Sequence, residues 1–194
     1  MNSQACVKSG SLGLFEPRIV ANFVLYQIAW LACVLGAAAG LPGLGTTTAG
    51  GVILWHLAHA NRPRAELRLI LLTGLIGGTW DSLLVGLGLI HYPSGMLLPW
   101  LAPHWIIALW MSFATTFNSS FRWLKGRVLL AAIFGLIGGP LAWWAGDRLG
   151  ALELVNPVRA LAALGGGWMA VLPMLMRLAT RFDGVSGPAS PDRT

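Results

Sequence analysis

Long apolar stretches, broken by short polar intervals marked with Gly or Pro, run through almost the whole chain. Six of them approach the ~20 residues that a helix needs to cross a hydrocarbon core. They are 19–39, 42–60, 67–90, a stretch within 96–121, 127–146 and 158–178. The second is the weakest, opening with Gly43, Gly45 and three threonines and closing with His56 and His59. The fourth carries Pro99 and Pro103, and its regular part is expected to begin near Pro103, because proline suits a first helical turn. Alternating segments of ~10 residues, the signature of a membrane barrel, do not occur. The pattern predicts an all-α polytopic membrane protein, a six-transmembrane-helix bundle with minimal loops.

Composition strengthens that reading. Hydrophobic residues make up 56% of the 194, and charged residues only 10%, where a soluble domain carries about 25%. So few charges cannot cover a water-exposed surface, which excludes a soluble globular domain, a disordered chain and a nucleic-acid-binding module. The net charge of +6 is unevenly spread. Lys8, Arg18, Arg62, Arg64, Arg68, Arg122, Lys125, Arg127, Arg177, Arg181 and Arg193 fall on one side of a six-span topology, and only Arg148 and Arg159 on the other. The positive-inside rule then places both termini in the cytoplasm. The expected organisation is a cytoplasmic tail over 1–18, the helical domain over 19–178 and a disordered cytoplasmic tail over 179–194. No cleavable signal sequence is visible, so the first apolar run is expected to stay as an anchor in a bacterial inner membrane. Cys6 and Cys33 make a poor disulfide pair and offer no metal spacing.

Few residues carry candidate chemistry. Asp81 lies roughly 4 Å from the centre of the third stretch, where an Asp costs roughly 2.5–3.5 kcal/mol. Gly74, Gly77 and Gly78 share its helical face, where helices approach closely. Asp81 is either a structural carboxylate, protonated or bonded to Ser, Trp or His, or a functional one. The fourth stretch shows a polar stripe of His104, Ser112, Thr115, Asn118 or Ser119, and Arg122. Such a face belongs inside a bundle; it either glues helices together or lines a hydrated groove. The depths of Asp81 and His104 allow a pair. His56 and His59 share a face and form a weak metal candidate, with no carboxylate next to them in the sequence. Trp100, Trp105, Trp143 and Trp144 fit an outer aromatic belt and Trp123 an inner one; Trp30, Trp55, Trp80, Trp110 and Trp168 are expected to pack deeper. No phosphate-binding loop, nucleophile elbow or zinc-protease motif occurs, and no cofactor is expected.

Gly74-Leu75-Ile76-Gly77-Gly78 recurs as Gly135-Leu136-Ile137-Gly138-Gly139, an echo that fits either a duplicated two-helix unit or chance in so Gly- and Leu-rich a chain. The runs Gly77–Leu84, with Trp80-Asp81-Ser82, and Leu109–Ser120, with Thr115-Thr116-Phe117-Asn118-Ser119-Ser120, are the more distinctive stretches. With Gly138–Gly146 they resemble a family of proteobacterial inner-membrane proteins known as domain of unknown function 2878, over about residues 19–178. That family has no assigned reaction. Its genes often lie near those of cyclopropane-fatty-acid-synthase-like methyltransferases and flavin-dependent oxidoreductases, so the resemblance implies, by association, a role near lipid modification. Asp81 and Asn118 match its polar motif positions.

Three readings follow. The leading one is a non-catalytic membrane component that binds or handles a lipid, as partner of a cytosolic lipid-modifying enzyme or as a homo-oligomer. There the basic residues Arg62, Arg64, Arg68, Arg122, Lys125 and Arg127 would contact headgroups or the partner. The second is a small-solute or proton-coupled transporter using Asp81, His104, Ser112, Thr115, Asn118 and Ser119. The third is an intramembrane enzyme with Asp81 and His104 as acid and base.

Overall fold

In a computed structural model, which describes residues 17–186, three quarters of the described residues are helical and six helices follow one another. They are α1 (Pro17–Ala38), α2 (Pro42–His59), α3 (Pro63–Gly86), α4 (His104–Phe117), α5 (Val128–Arg148) and α6 (Pro157–Arg181). Proline opens α1, α2, α3 and α6, where its fixed φ suits the helix and its missing N–H is not needed. Gly40, at φ +74°, lets the chain reverse within three residues between α1 and α2. A single turn of 3₁₀ helix, Arg122–Leu124, leads from α4 toward α5.

The helices pack as antiparallel hairpins, α1 on α2, α3 on α4 and α5 on α6. Helix α4 lies at the centre, against α1, α2 and α3. Eleven of its fourteen residues are buried. Around it, exposed leucine, isoleucine, valine and phenylalanine side chains cover the outer faces, among them Phe23 and Leu35 of α1, Leu71 and Leu75 of α3, and Leu129 and Ile137 of α5. An apolar exterior of this extent is what a bilayer solvates.

Four helices, α1, α3, α5 and α6, are long and apolar enough to cross a membrane. The six expected spans are thus supported in four. Helix α4 extends about 21 Å at 1.5 Å per residue, short of a ~30 Å core, and α2 also falls below that standard. The reason is position: α4 is screened from lipid by its neighbours, so it needs neither the length nor the uniform apolarity of an outer helix. Two further differences concern the connections. A short antiparallel bridge, β1 (Ile90–His91) with β2 (Glu153–Leu154), pairs Ile90 with Leu154 and His91 with Glu153, tying the α3–α4 connection to the α5–α6 connection. The tail expected from residue 179 is helical to Arg181, and Phe182–Ser186 lies against the protein; residues 1–16 and 187–194, with Cys6 and Lys8, fall outside the described residues.

The glycine echo serves one purpose through different positions. A Cβ on Gly77 would stand 2.0 Å from Trp110, and one on Gly74 2.5 Å from Met111. In α5, Gly135 and Gly139 meet Trp168 at 2.2 Å by the same measure, whereas Gly138, the counterpart of Gly77, faces open space. Both hairpins thus seat a tryptophan against a glycine, as close helix packing in lipid favours.

Candidate functional site

Helix α3 carries two fully buried carboxylates, one toward each end, and the polar features of the molecule gather around them. Asp81 is 0% exposed. Its Oδ2 accepts a hydrogen bond from the Trp110 indole nitrogen at 2.6 Å. Its Oδ1 accepts from the Tyr92 hydroxyl at 2.7 Å and the Trp143 indole nitrogen at 3.2 Å. Trp143 also donates to the Tyr92 oxygen at 3.1 Å. Three separate elements supply these donors: α4, the loop after α3, and α5. Every donor is neutral, so Asp81 is satisfied without a cation.

Those indoles form the wall of a cavity. Trp110 stacks on Trp168 with centroids 4.5 Å apart, and Trp143 meets Trp168 edge-on at 5.6 Å. Beside this cluster lies an apolar cavity of about 200 Å³ between α1, α4, α5 and α6, also lined by Tyr26, Trp30, Phe113, Phe121, Leu124, Phe134 and Gly138. Leu124 is shared with a second cavity, of about 150 Å³, whose rim carries Arg127 and Arg177.

The second carboxylate, Glu66, stands in the first turn of α3 and is also 0% exposed. Its Oε2 is 2.8 Å from His56 Nε2 across the α2–α3 turn. Its Oε1 accepts from Asn118 Nδ2 and from the Gly184 backbone N–H, each at 2.6 Å. The segment after α6 is held further by Arg62, whose backbone N–H donates to the Gly184 carbonyl at 2.9 Å and whose guanidinium donates to the Asp183 carbonyl. Asn61 donates to the Val185 carbonyl at 2.7 Å. Lys125 pairs with the Asp183 carboxylate at 2.8 Å. Burial works against the Asp183 carboxylate, but hydrogen bonds from Lys125 and Ser186 and the lysine charge outweigh it and hold its pKa down at about 2.

The candidates named from the sequence separate between these regions. Asp81 and His104 are not brought together: His104 Nδ1 is 2.7 Å from the Thr46 hydroxyl instead. Ser112 and Thr115 are fully buried and donate to carbonyls one turn back in α4, to Leu109 at 2.9 Å and Ser112 at 2.7 Å. Their hydroxyl protons are spent on their own helix. Asn118 joins Glu66, while Ser119 lies at a small polar cavity with His56 and His59. Although no carboxylate neighbours the two histidines in the sequence, the fold brings Glu66 onto His56. No cluster of three or more metal-ligating side chains occurs among the described residues. Of the basic candidates, Lys125 and Arg62 are engaged with the C-terminal segment, and Arg127 rims the second cavity. Arg64, Arg68 and Arg122 are exposed. Trp105 and Trp143, expected in an outer belt, are 1% and 6% exposed, because Trp105 donates to the Ser94 carbonyl and Trp143 to Asp81. Trp100 and Trp144 do face outward.

Glu66, Tyr92 and the Trp110–Trp143–Trp168 cluster went unrecognised in the sequence. One signal pointed to Glu66. It is one of seven acidic residues in the chain, sits in the first turn of an apolar helix, and follows His56 by ten positions across a tight turn.

No curated protein and no solved structure matches the chain. A family model described as "Protein of unknown function (DUF2878)" matches residues 19–174, a span that includes both carboxylates and all their side-chain partners. Over four fifths of its length, therefore, this chain belongs to the DUF2878 family.

Proposed function

We propose that the protein is a multi-pass membrane protein of the bacterial inner membrane, with its basic face in the cytoplasm, that holds the apolar part of an amphiphilic lipid within its helical bundle. The carrying observation is the aromatic cavity. It is apolar, it is set among helices with lipid-compatible exteriors, and it lies between α1 and α5, which pack little against each other directly. A lateral opening of that kind suits a ligand arriving from the bilayer. The adjoining cavity extends the same wall past Leu124 to Arg127 and Arg177, where an acidic headgroup would find two guanidinium groups. On this reading Arg127 keeps its role as a headgroup contact and Arg177 joins it. Asp81 acts by fixing Trp110 and Trp143 in the cavity wall. Helices α2 and α4 complete the bundle inside the bilayer without each facing lipid.

The test is native mass spectrometry with lipid identification on the protein in gentle detergent. Gly138 lines the cavity, and a Cβ there meets nothing within 4 Å, so Gly138→Phe adds bulk at the cavity without a clash at its Cβ. The wild type is expected to carry a selective lipid or fatty-acid adduct that Gly138→Phe loses at unchanged thermal stability. Equal adducts on both proteins, or none on either, would overturn the reading.

A further inference from the structure

Glu66 draws attention to the other side of His56. That ring is more than nine-tenths buried, and its Nε2 is committed to Glu66. Its Nδ1 has no hydrogen-bond partner among the described residues, and His56 lines a polar cavity of about 90 Å³ on the basic face. Five segments meet there: the start of α1, the end of α2, the α2–α3 turn, the turn after α4 and the C-terminal segment. His59, one turn from His56, stacks on Trp55 with centroids 4.7 Å apart and holds its Nδ1 2.8 Å from the Trp55 carbonyl, which leaves Nε2 as its remaining polar atom. Arg18 lines the same cavity with no salt-bridge partner among the described residues. Ser119 contributes a hydroxyl, and Val185, held by Asn61, closes one side.

No carboxylate lines this cavity among the described residues, and both Glu66 oxygens are occupied elsewhere. Each free ring nitrogen donates to an oxyanion when its imidazole carries a second proton. A guanidinium, two imidazolium N–H groups and a hydroxyl around so small a space therefore match an oxyanion with several acceptor oxygens, and Arg18 would repel a metal ion. We infer that this cavity is a binding site for a phosphoryl group, held by Arg18, His56, His59 and Ser119, with Glu66 orienting the His56 ring. The phosphoryl group has two sources, a soluble phosphate compound or the headgroup of a phospholipid. The site is separate from the aromatic cavity, and its existence does not depend on the lipid reading.

The experiment measures binding to the purified full chain in phosphate-free nonionic detergent, with inorganic phosphate in one arm and dihexanoyl phosphatidic acid in the other. Saturable binding of at least one probe is expected, weakened tenfold or more by Arg18→Gln and by His59→Gln. Arg18 and His59 are exposed, so these substitutions spare the packed interior. Equal use of both probes identifies the phosphoryl group alone as the recognised element; binding of phosphatidic acid only identifies the lipid headgroup. Gly138→Phe is expected to leave inorganic phosphate binding unchanged, which separates this site from the proposed lipid cavity. Binding of neither probe, or wild-type affinity in both Arg18→Gln and His59→Gln, would overturn the inference.

Discussion

Asp81 and Glu66 sit on one helix, equally buried, and are satisfied in opposite ways. Asp81 receives three neutral donors, two of them indoles, and no titratable base touches it. Glu66 receives an imidazole, an amide and a backbone N–H from a segment 118 residues further along the chain. The first arrangement locks rigid rings into a wall. The second joins a titratable histidine to the chain end that borders the polar cavity. A buried carboxylate needs partners wherever it lies, but the partners decide whether it organises apolar packing or a polar face.

Removing Asp81 is the harshest way to test that contrast. Asp81→Ala strands the Tyr92 hydroxyl proton and the Trp110 indole, and leaves the Trp143 indole only its bond to the Tyr92 oxygen. At about 1–3 kcal/mol for each buried donor left unpaired, the loss is expected to be about 3 kcal/mol or more. Asp81→Asn retains an acceptor for two of the donors and should cost about half as much. Unfolding midpoints in mixed detergent and denaturing surfactant check the order, and an Asp81→Ala protein as stable as wild type would remove Asp81 from its place as organiser of the aromatic wall.

Glu66→Gln is a milder change, expected to cost about 1 kcal/mol, because the amide keeps the shape and one acceptor oxygen while losing the charge-assisted bonds. Its distinguishing effect is local. Amide exchange at Gly184, whose N–H donates to Glu66, should accelerate while exchange in α4 stays slow. Unchanged protection at Gly184 would mean that the chain end is held by Arg62, Asn61 and Lys125 alone.

The smallest effect concerns pH. Asp183 has a folded pKa of about 2, below the ~3.9 of an unconstrained Asp. Between those values the unfolded chain binds more protons, so the contribution of the Lys125–Asp183 pair is complete above about pH 4 and fades as pH falls through about 2. The pair is partly solvated, which keeps this contribution small. Titration of the Asp183 carboxyl carbon by NMR should show a midpoint near 2; a midpoint near 4 would leave the segment anchored by Glu66, Arg62 and Asn61 without the lysine pair.

Much of the scaffold was legible in the sequence. The starts of α2 at Pro42 and of α4 just after Pro103 match the reading of the sequence. By contrast, α3 begins at Pro63, four residues before its apolar run, and α6 at Pro157, one before, because proline sets a helix start within one turn whatever the hydropathy. The burial of Asp81 was legible because an ionisable residue amid apolar ones must be covered. The rank of α4 was not: a fourteen-residue helix at the centre and a lipid-facing span share the same apolar pattern, since both avoid water. Nor could the donors to Asp81 be read, because Tyr92, Trp110 and Trp143 lie 11, 29 and 62 positions away.

By itself, then, the sequence determined that the chain is helical and apolar outside, where the helices turn, which face is basic and which carboxylate needs shelter. These are properties of single segments, set by hydropathy, proline geometry and charge. Tertiary structure alone decided that α4 is the hub, that Glu66 captures His56, Asn118 and the chain end, that Trp143 turns inward, and that two cavities of opposite character result. Each of those outcomes depends on which helix faces meet, and that is settled by close packing and by the need of every buried polar atom for a partner.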